Sequence, residues 1–327
     1  LAEENPDKFH GISAYDKKTG ECSKKQDYSK VFGDTLIKLA ENNPKIVAVT
    51  AAMKDGTGLK EFAQKFPDRF FDVGIAEQHS LGLIAGMAKA GLKPVLPIYS
   101  SFLQRGYDQI IHDIALSNIP VTVCIDRAGI VGNDGETHQG IFDLSFLSSI
   151  PNLVIMAPKN FEELEKMLEF SVNIDKPVFI RYPRGGENYK FEKVEKIELG
   201  KSEIIQNGTD LSIIAIGKMV GRAKEIANLL PEKSIEIINA RFLKPLDEKA
   251  ILKSIQKTKH VITIEDNLLR GGLGTAIIEL INKSNIENVK VKTFGYDDIF
   301  VEHGKVEELE EKYGLTAEKI AKDISII

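Results

Sequence analysis

The chain has 327 residues, 43% hydrophobic and 28% charged, an ordinary composition for a globular protein and a length that favours two domains of roughly 100–200 residues each. A formal net charge of -5 argues against a nucleic-acid surface, which needs concentrated Lys and Arg, and no uncharged apolar run approaches the ~20 residues that span a bilayer. Neither nucleic acid nor membrane is therefore expected as a partner, and two cysteines, Cys22 and Cys124, are too few for a disulfide scaffold and point to a reducing cytoplasm.

Residues 1–27 are polar with scattered Gly and Pro and read as an extended arm. Their start, Leu1-Ala-Glu-Glu-Asn-Pro6, has no initiator Met and no signal segment, as expected of a chain that begins midway. Phe32, Leu36, Leu39 and Ala40 then repeat at helical spacing, with Ser29 as a possible N-cap. Short apolar runs at 46–50, 70–73, 94–99, 121–125, 153–156 and 178–182 predict strands. They do not alternate apolar with polar, so both faces of the sheet should be covered, as in a parallel sheet packed between helices. Helices are expected over 77–90, almost wholly apolar or small after its first turn, and over roughly 102–117. The pattern is a doubly wound α/β domain over 28–185. A charged, turn-rich linker, 186–200, leads to a second α/β domain over 201–327. There, runs at 202–205 and 211–216 flank Asn207-Gly208, a hairpin signal. Strands at 235–238, 261–264 and 289–293 alternate with helices near Val220, Leu246 and Thr275, giving a mostly parallel sheet with one antiparallel edge.

Chemistry-bearing residues gather at the carboxyl ends of the first domain's strands, where ligands bind in such folds. In Asp72-Val-Gly-Ile-Ala-Glu-Gln-His79 a glycine turn leads into the buried helix, and Glu77 there would be partly desolvated, its proton affinity raised. Spacing alone equally allows that Glu77 only complements the helix dipole. Tyr99 and Phe102 offer ring faces after the next strand, and Arg105 offers a fork for an anion. The following strand runs into Ile125-Asp-Arg-Ala-Gly-Ile-Val-Gly-Asn-Asp-Gly-Glu-Thr-His-Gln-Gly140, which presents Arg127, Asp134 and His138 on a glycine-rich loop. Arg181-Tyr-Pro-Arg184 closes the last strand. Arginines at separate strand ends beside such a loop suggest a bidentate phosphate grip, whereas a single arginine is normally a solvated surface residue. Gly271-Gly-Leu-Gly274 lacks the full dinucleotide fingerprint and reads as tight helix–sheet packing, leaving little support for a nicotinamide dehydrogenase.

The segments DVGIAEQHS, IYSSFLQRGYDQIIHD, DRAGIVGNDGETHQGIFDLS, RYPRG and ARFLKPLDE together resemble the 1-deoxy-D-xylulose-5-phosphate synthase family, thiamine-diphosphate enzymes related to transketolase. The resemblance is collinear from about Phe9 to the C-terminus and corresponds to the second half of that family, the pyrimidine-binding and C-terminal domains. It implies that Glu77 hydrogen-bonds the cofactor's aminopyrimidine, that Phe102 stacks on it, and that Ile75 contributes to the same cofactor contact. Tyr99, Arg105, Arg127, Asp134, His138 and Arg184 match residues lining the substrate channel. By the same resemblance Arg127 and Arg184 would hold the phosphate of glyceraldehyde 3-phosphate. Glu77, His138 and His10, a linker histidine, would act on the reacting groups. The family's diphosphate and Mg2+ are held by its N-terminal half through a Gly-Asp-Gly…Asn motif. Asn133-Asp-Gly135 matches that motif only superficially, so no metal ligand is expected in this chain. The implied reaction joins pyruvate to glyceraldehyde 3-phosphate with loss of carbon dioxide, in a homodimer completed by the N-terminal half. Two alternatives stay open: a subunit of a split transketolase-like enzyme, and a folded, non-catalytic dimerisation fragment.

Overall fold

The computed structural model describes residues 26–192, 194 and 196–325. The chain opens on α1 (Tyr28–Asn42), followed by β1 (Ile46–Thr50), α2 (Lys60–Lys65), β2 (Phe70–Asp72), α3 (Glu77–Lys89) and β3 (Lys93–Tyr99). A segmented helical stretch contains α4 (Ser100–Leu103) and α5 (Tyr107–Gln109) and ends in a π-helical turn, Ile110–Ala115. Next come β4 (Thr122–Asp126), α6 (Asp143–Ser148), β5 (Val154–Met156), α7 (Phe161–Ser171) and β6 (Val178–Arg181). The second unit holds β7 (Glu203–Gln206), β8 (Leu211–Ala215), α8 (Met219–Leu229), β9 (Ile235–Asn239), β10 (Phe242–Lys244), α9 (Glu248–Thr258), β11 (His260–Leu268), α10 (Leu273–Lys283), β12 (Lys290–Tyr296), α11 (Val306–Lys312) and α12 (Ala317–Ser325).

Among the described residues two sheets form, one of seven strands in the order β10-β5-β6-β4-β3-β1-β2 and one of five in the order β12-β11-β8-β9-β7. Every residue of β1, β4, β8 and β9 is buried, as strands of a sheet covered on both faces require. The first sheet is parallel except at β10, which belongs to the second unit by sequence yet pairs antiparallel with β5. That crossing ties the units together. One buried apolar cluster also runs through both, joining Leu144, Leu147 and Ile155 to Ile214, Ile238 and Leu273.

Three expectations are corrected. The Asn207-Gly208 hairpin does not form: β8 lies between β11 and β9 in the sheet, and β7 pairs antiparallel with β9 instead. A Cβ on Gly208 would sit 2.2 Å from the Ile235 carbonyl carbon, so this glycine admits a close backbone approach to the start of β9. The helix over 102–117 is a chain of short α, 3-10 and π pieces. Its Gly106 presses on α3 so closely that a Cβ would meet Leu81 Cδ1 at 2.0 Å. The N-cap of α1 is Asp27, whose carboxylate accepts the Lys30 N–H at 2.8 Å; Ser29 lies inside the helix and serves another partner. Gly274, by contrast, is packed as expected, since a Cβ there would lie 2.8 Å from Thr293 Cγ2.

Candidate functional site

At the carboxyl ends of β1 and β2, Asp72 Oδ1 accepts the N–H groups of Ala52 at 2.9 Å and Gly74 at 3.0 Å, fixing the turn that leads into α3. Glu77 is the first residue of α3 and only 5% exposed, although Ile75, Gln78 and His79 around it are exposed. Its Oε2 has no hydrogen-bond partner; the nearest cation is Arg105 Nη1 at 3.3 Å. A buried acceptor left open on a helix N-terminus is costly unless something outside the described contacts fills it. Arg105 is a countercharge that spacing alone did not place.

The second cluster grows from the end of β3. The Tyr99 ring lies 5.2 Å from that of Phe102, which meets the His138 ring edge-on at 5.5 Å. The Arg127 guanidinium sits over the Tyr99 ring, 4.0 Å from its centroid. Asp134 Oδ2 takes Arg127 Nη1 at 3.3 Å and Arg184 Nη1 at 2.9 Å, so one carboxylate holds both arginines. Desolvation of the Tyr99 hydroxyl pushes its pKa up to about 12, so it stays neutral beside these charges. A Cβ on Gly56 would fall 2.2 Å from that hydroxyl, which places the 53–58 turn against the same ring.

Thus Tyr99, Phe102, Arg127, Asp134, His138 and Arg184 come together, and Arg105 links Glu77 to the helical segment that carries Phe102. Ile75, two residues before Glu77, is 78% exposed. His10 lies outside the described residues. Arg181 does not join the arginine pair. It is buried, with Nε donating to Asp143 and Nη2 to the main-chain oxygen of Asp266, so only Arg184 of that segment joins Arg127 at Asp134. Among the described residues no group of three His, Cys, Asp or Glu could hold a metal ion, and no helix is long and apolar enough to cross a membrane. A cleft of about 760 Å³ lined by Lys166, Phe170, Ile174, Val194 and Ile197 among others shares no lining residue with this cluster.

The glycine-rich loop is shaped from outside as well as within. Gly129 and Gly140 exchange backbone hydrogen bonds of 2.6 and 2.7 Å across its base. Gln139 Oε1 accepts Val131 N–H at 2.8 Å and Gly132 N–H at 3.3 Å, while its Nε2 donates to the Glu302 carbonyl of the second unit at 3.0 Å.

Sequence reading missed Asp126, a fully buried carboxyl at the end of β4 that accepts the Ser29 hydroxyl at 2.6 Å. The signal available was an acid ending an otherwise apolar strand. Burial pushes its pKa up to about 7, against opposing pulls from Ser29 and Arg127. Burial likewise lifts Glu265 to about 8, although its oxygens cap α10 by accepting the N–H groups of Leu273 and Gly274 at 2.8 Å each. For such groups the native state keeps a proton that the unfolded chain has already released, so stability falls as pH rises from the ordinary carboxylate range through 7 to 8. Relative to the parent, Asp126→Asn with Glu265→Gln should raise the thermal midpoint increasingly from pH 4.5 toward pH 8.5, on top of a pH-independent loss because the glutamine amide nitrogen cannot accept one of the two N–H groups. Each group contributes at most about 1.4 kcal/mol per pH unit inside its window. A difference in midpoint that does not grow with pH would remove both assignments.

Residues 24–188 match the transketolase pyrimidine-binding domain model and residues 200–320 the transketolase C-terminal domain model. The chain is 49% identical over 329 residues to 1-deoxy-D-xylulose-5-phosphate synthase of Clostridium tetani, covering 99% of this chain and 53% of that protein. The synthase of Halothermothrix orenii is 52% identical, covering 95% of this chain and 50% of the relative, and that of Clostridium perfringens 51%, covering 98% and 52%. The chain therefore spans about half the length of these curated relatives. A solved structure of a split-gene transketolase, an inactive β4 tetramer, superposes with a TM-score of 0.84 at 30% identity, covering 92% of this chain and 98% of that one. The chain belongs to the transketolase family, of which it carries the pyrimidine-binding and C-terminal domains.

Proposed function

We propose that this chain serves as the pyrimidine-side and acceptor-side half of a 1-deoxy-D-xylulose-5-phosphate synthase, an enzyme that condenses pyruvate with glyceraldehyde 3-phosphate and releases carbon dioxide. The observation that carries the proposal is the Arg127–Asp134–Arg184 group beside Tyr99, Phe102 and His138. Two guanidinium forks converging on one carboxylate oxygen mark a place where a phosphate would be held bidentately.

The residues present fit the pyrimidine end of thiamine diphosphate. Glu77 offers a buried carboxylate oxygen with no hydrogen-bond partner, and Phe102 a half-buried ring for stacking. When bound, the cofactor supplies the electron sink that decarboxylation and carbon–carbon bond formation need. Glu77 holds a proton on or near a pyrimidine nitrogen, Phe102 orients the ring, and Arg127 with Arg184 binds the acceptor phosphate. His138, edge-on to Phe102, exchanges a proton with an acceptor oxygen in this reading. The diphosphate and Mg2+ would be held by the N-terminal half, from the same polypeptide or a partner. Exposed Ile75, two residues before Glu77, and exposed Phe71 on β2 are apolar surface suited to such a partner or to a second copy in a homodimer.

A second reading, a subunit of a split transketolase, is favoured by the near-complete coverage of the split-gene structure. One experiment separates the two. The chain is mixed with the N-terminal half of a synthase, thiamine diphosphate and Mg2+, and carbon dioxide release from pyruvate is followed with and without glyceraldehyde 3-phosphate. Aldehyde-dependent release only in the mixture supports the synthase. Transfer from a ketose phosphate with no use of pyruvate would support the split transketolase, and turnover by this chain unaided would overturn the need for a second half. In the active mixture Arg127→Ala should raise KM for the aldehyde by roughly tenfold to a hundredfold, the worth of one charged hydrogen-bonding group.

A further inference from the structure

We propose that Asp266, on the second unit, is a positioning residue for the acceptor loop 127–140, so that the C-terminal domain sets where Arg127, Asp134 and His138 stand. The inference rests on the functional reading above for its kinetic part and on geometry alone for its structural part.

Asp266 lies near the end of β11 and is 3% exposed. Its Oδ1 accepts the N–H of Ile130 at 3.3 Å, a buried bond from one domain to the backbone of the other's loop. Its Oδ2 faces Lys218 Nζ at 2.8 Å, and that lysine also reaches Glu310 Oε1 at 3.4 Å. Glu310 in turn takes Arg222 Nη2 at 2.7 Å, so the carboxylate that touches the loop is held by a chain of charges on α8 and α11. The main-chain oxygen of Asp266 accepts Arg181 Nη2 at 3.0 Å, and the same nitrogen donates to the Gly140 carbonyl at 3.4 Å. One residue therefore touches the outgoing leg of the loop directly and the returning leg through Arg181.

The loop is cut to receive it. Gly129 has φ +81°, and a Cβ there would fall 1.7 Å from Asp266 Oδ2. Only glycine permits both the backbone conformation and the approach. Gly132 is pressed in the same way against the second unit, where a Cβ would meet the Gly304 carbonyl oxygen at 2.8 Å. A loop of four glycines would otherwise sample many conformations, and each would carry the arginine and histidine away from one another.

The test has two arms. In the chain by itself, amide hydrogen exchange is followed in peptides covering 128–141. Asp266→Ala should speed exchange there by roughly tenfold or more, the loss of a buried hydrogen bond, with Asp266→Asn, which keeps an acceptor for Ile130, falling between it and the parent. Lys218 retains Glu310 in either variant, so no buried cation is stranded. In the reconstituted enzyme Asp266→Ala should raise KM for glyceraldehyde 3-phosphate by roughly tenfold while kcat falls less than about threefold. Unchanged exchange in 128–141 would overturn the proposal whatever the activity. Faster exchange with a loss of kcat alone would also overturn it, by showing a purely structural role. A parent mixture with no synthase activity would overturn the functional reading, while the exchange arm still decides whether Asp266 holds the loop.

Discussion

Glu77→Gln in the reconstituted enzyme should lower kcat by roughly 10²–10⁴-fold, the usual worth of a positioned proton-transfer group, and leave the fold intact. The competing account is that Glu77 only balances the positive end of α3, and the two differ in what they spare. A dipole role predicts a stability loss of about 0.3–1 kcal/mol and nearly normal turnover. A proton role predicts the reverse, because Arg105, the one cation within salt-bridge reach of Glu77 among the described residues, is largely solvated and survives the loss of its partner at little cost. Glu77→Ala should abolish turnover. The measurement is kcat at saturating cofactor beside the thermal midpoint; near-normal kcat in Glu77→Gln would take Glu77 out of the mechanism. The open Oε2 is the reason to expect the catalytic outcome, since a side chain serving only the dipole needs no unfilled buried acceptor.

What the sequence disclosed followed the reach of its signals. The largely apolar runs of β1, β4 and β6 disclosed a parallel sheet because burial on both faces leaves no alternation to mislead. Glu77 and the residues of the candidate cluster, Tyr99 through Arg184, could be picked out as candidates because they follow strand ends, where this architecture puts ligands. Local turn chemistry failed at Asn207-Gly208. Strand β8 is buried throughout and needs neighbours on both sides, while β7 is partly exposed and suits an edge, so the tertiary demand outweighed the hairpin preference. Strand β10 has only three residues, too few for any periodicity, and its partner lies about ninety residues away in β5. The clamp of Asp266 and Gln139 on the loop was illegible for the same reason: Gly129 and Gly132 announce a tight turn, and only the folded contacts show that each makes room for the second unit.

The largest stability effect is expected where the two units are joined by buried charge. Glu163 on α7 has no exposed surface, and it accepts hydrogen bonds from Lys159 N–H at 2.7 Å, Asn239 Nδ2 at 3.0 Å and Arg241 Nε at 2.7 Å. Glu203 completes the set, 2.5 Å from Lys159 Nζ and 3.1 Å from Arg241 Nη2, so two cations face two carboxylates across the boundary. Glu163→Ala leaves one carboxylate for two buried cations and should cost about 3–5 kcal/mol. Glu163→Gln, which keeps an acceptor but loses the charge, should cost less. The decisive comparison is Glu163→Leu with Arg241→Met in one chain. Lys159 then keeps Glu203 as a neutral pair, no charge is stranded, and the double variant should be more stable than Glu163→Leu alone. Urea midpoints for the parent, both single variants and the double give the coupling energy directly. Additive losses, or a loss below about 1 kcal/mol in Glu163→Ala, would show that the cluster contributes no more than a surface ion pair. The physical reason to expect strong coupling is that neither cation can be rehydrated without separating α7 from β9, which the apolar cluster running through both units opposes.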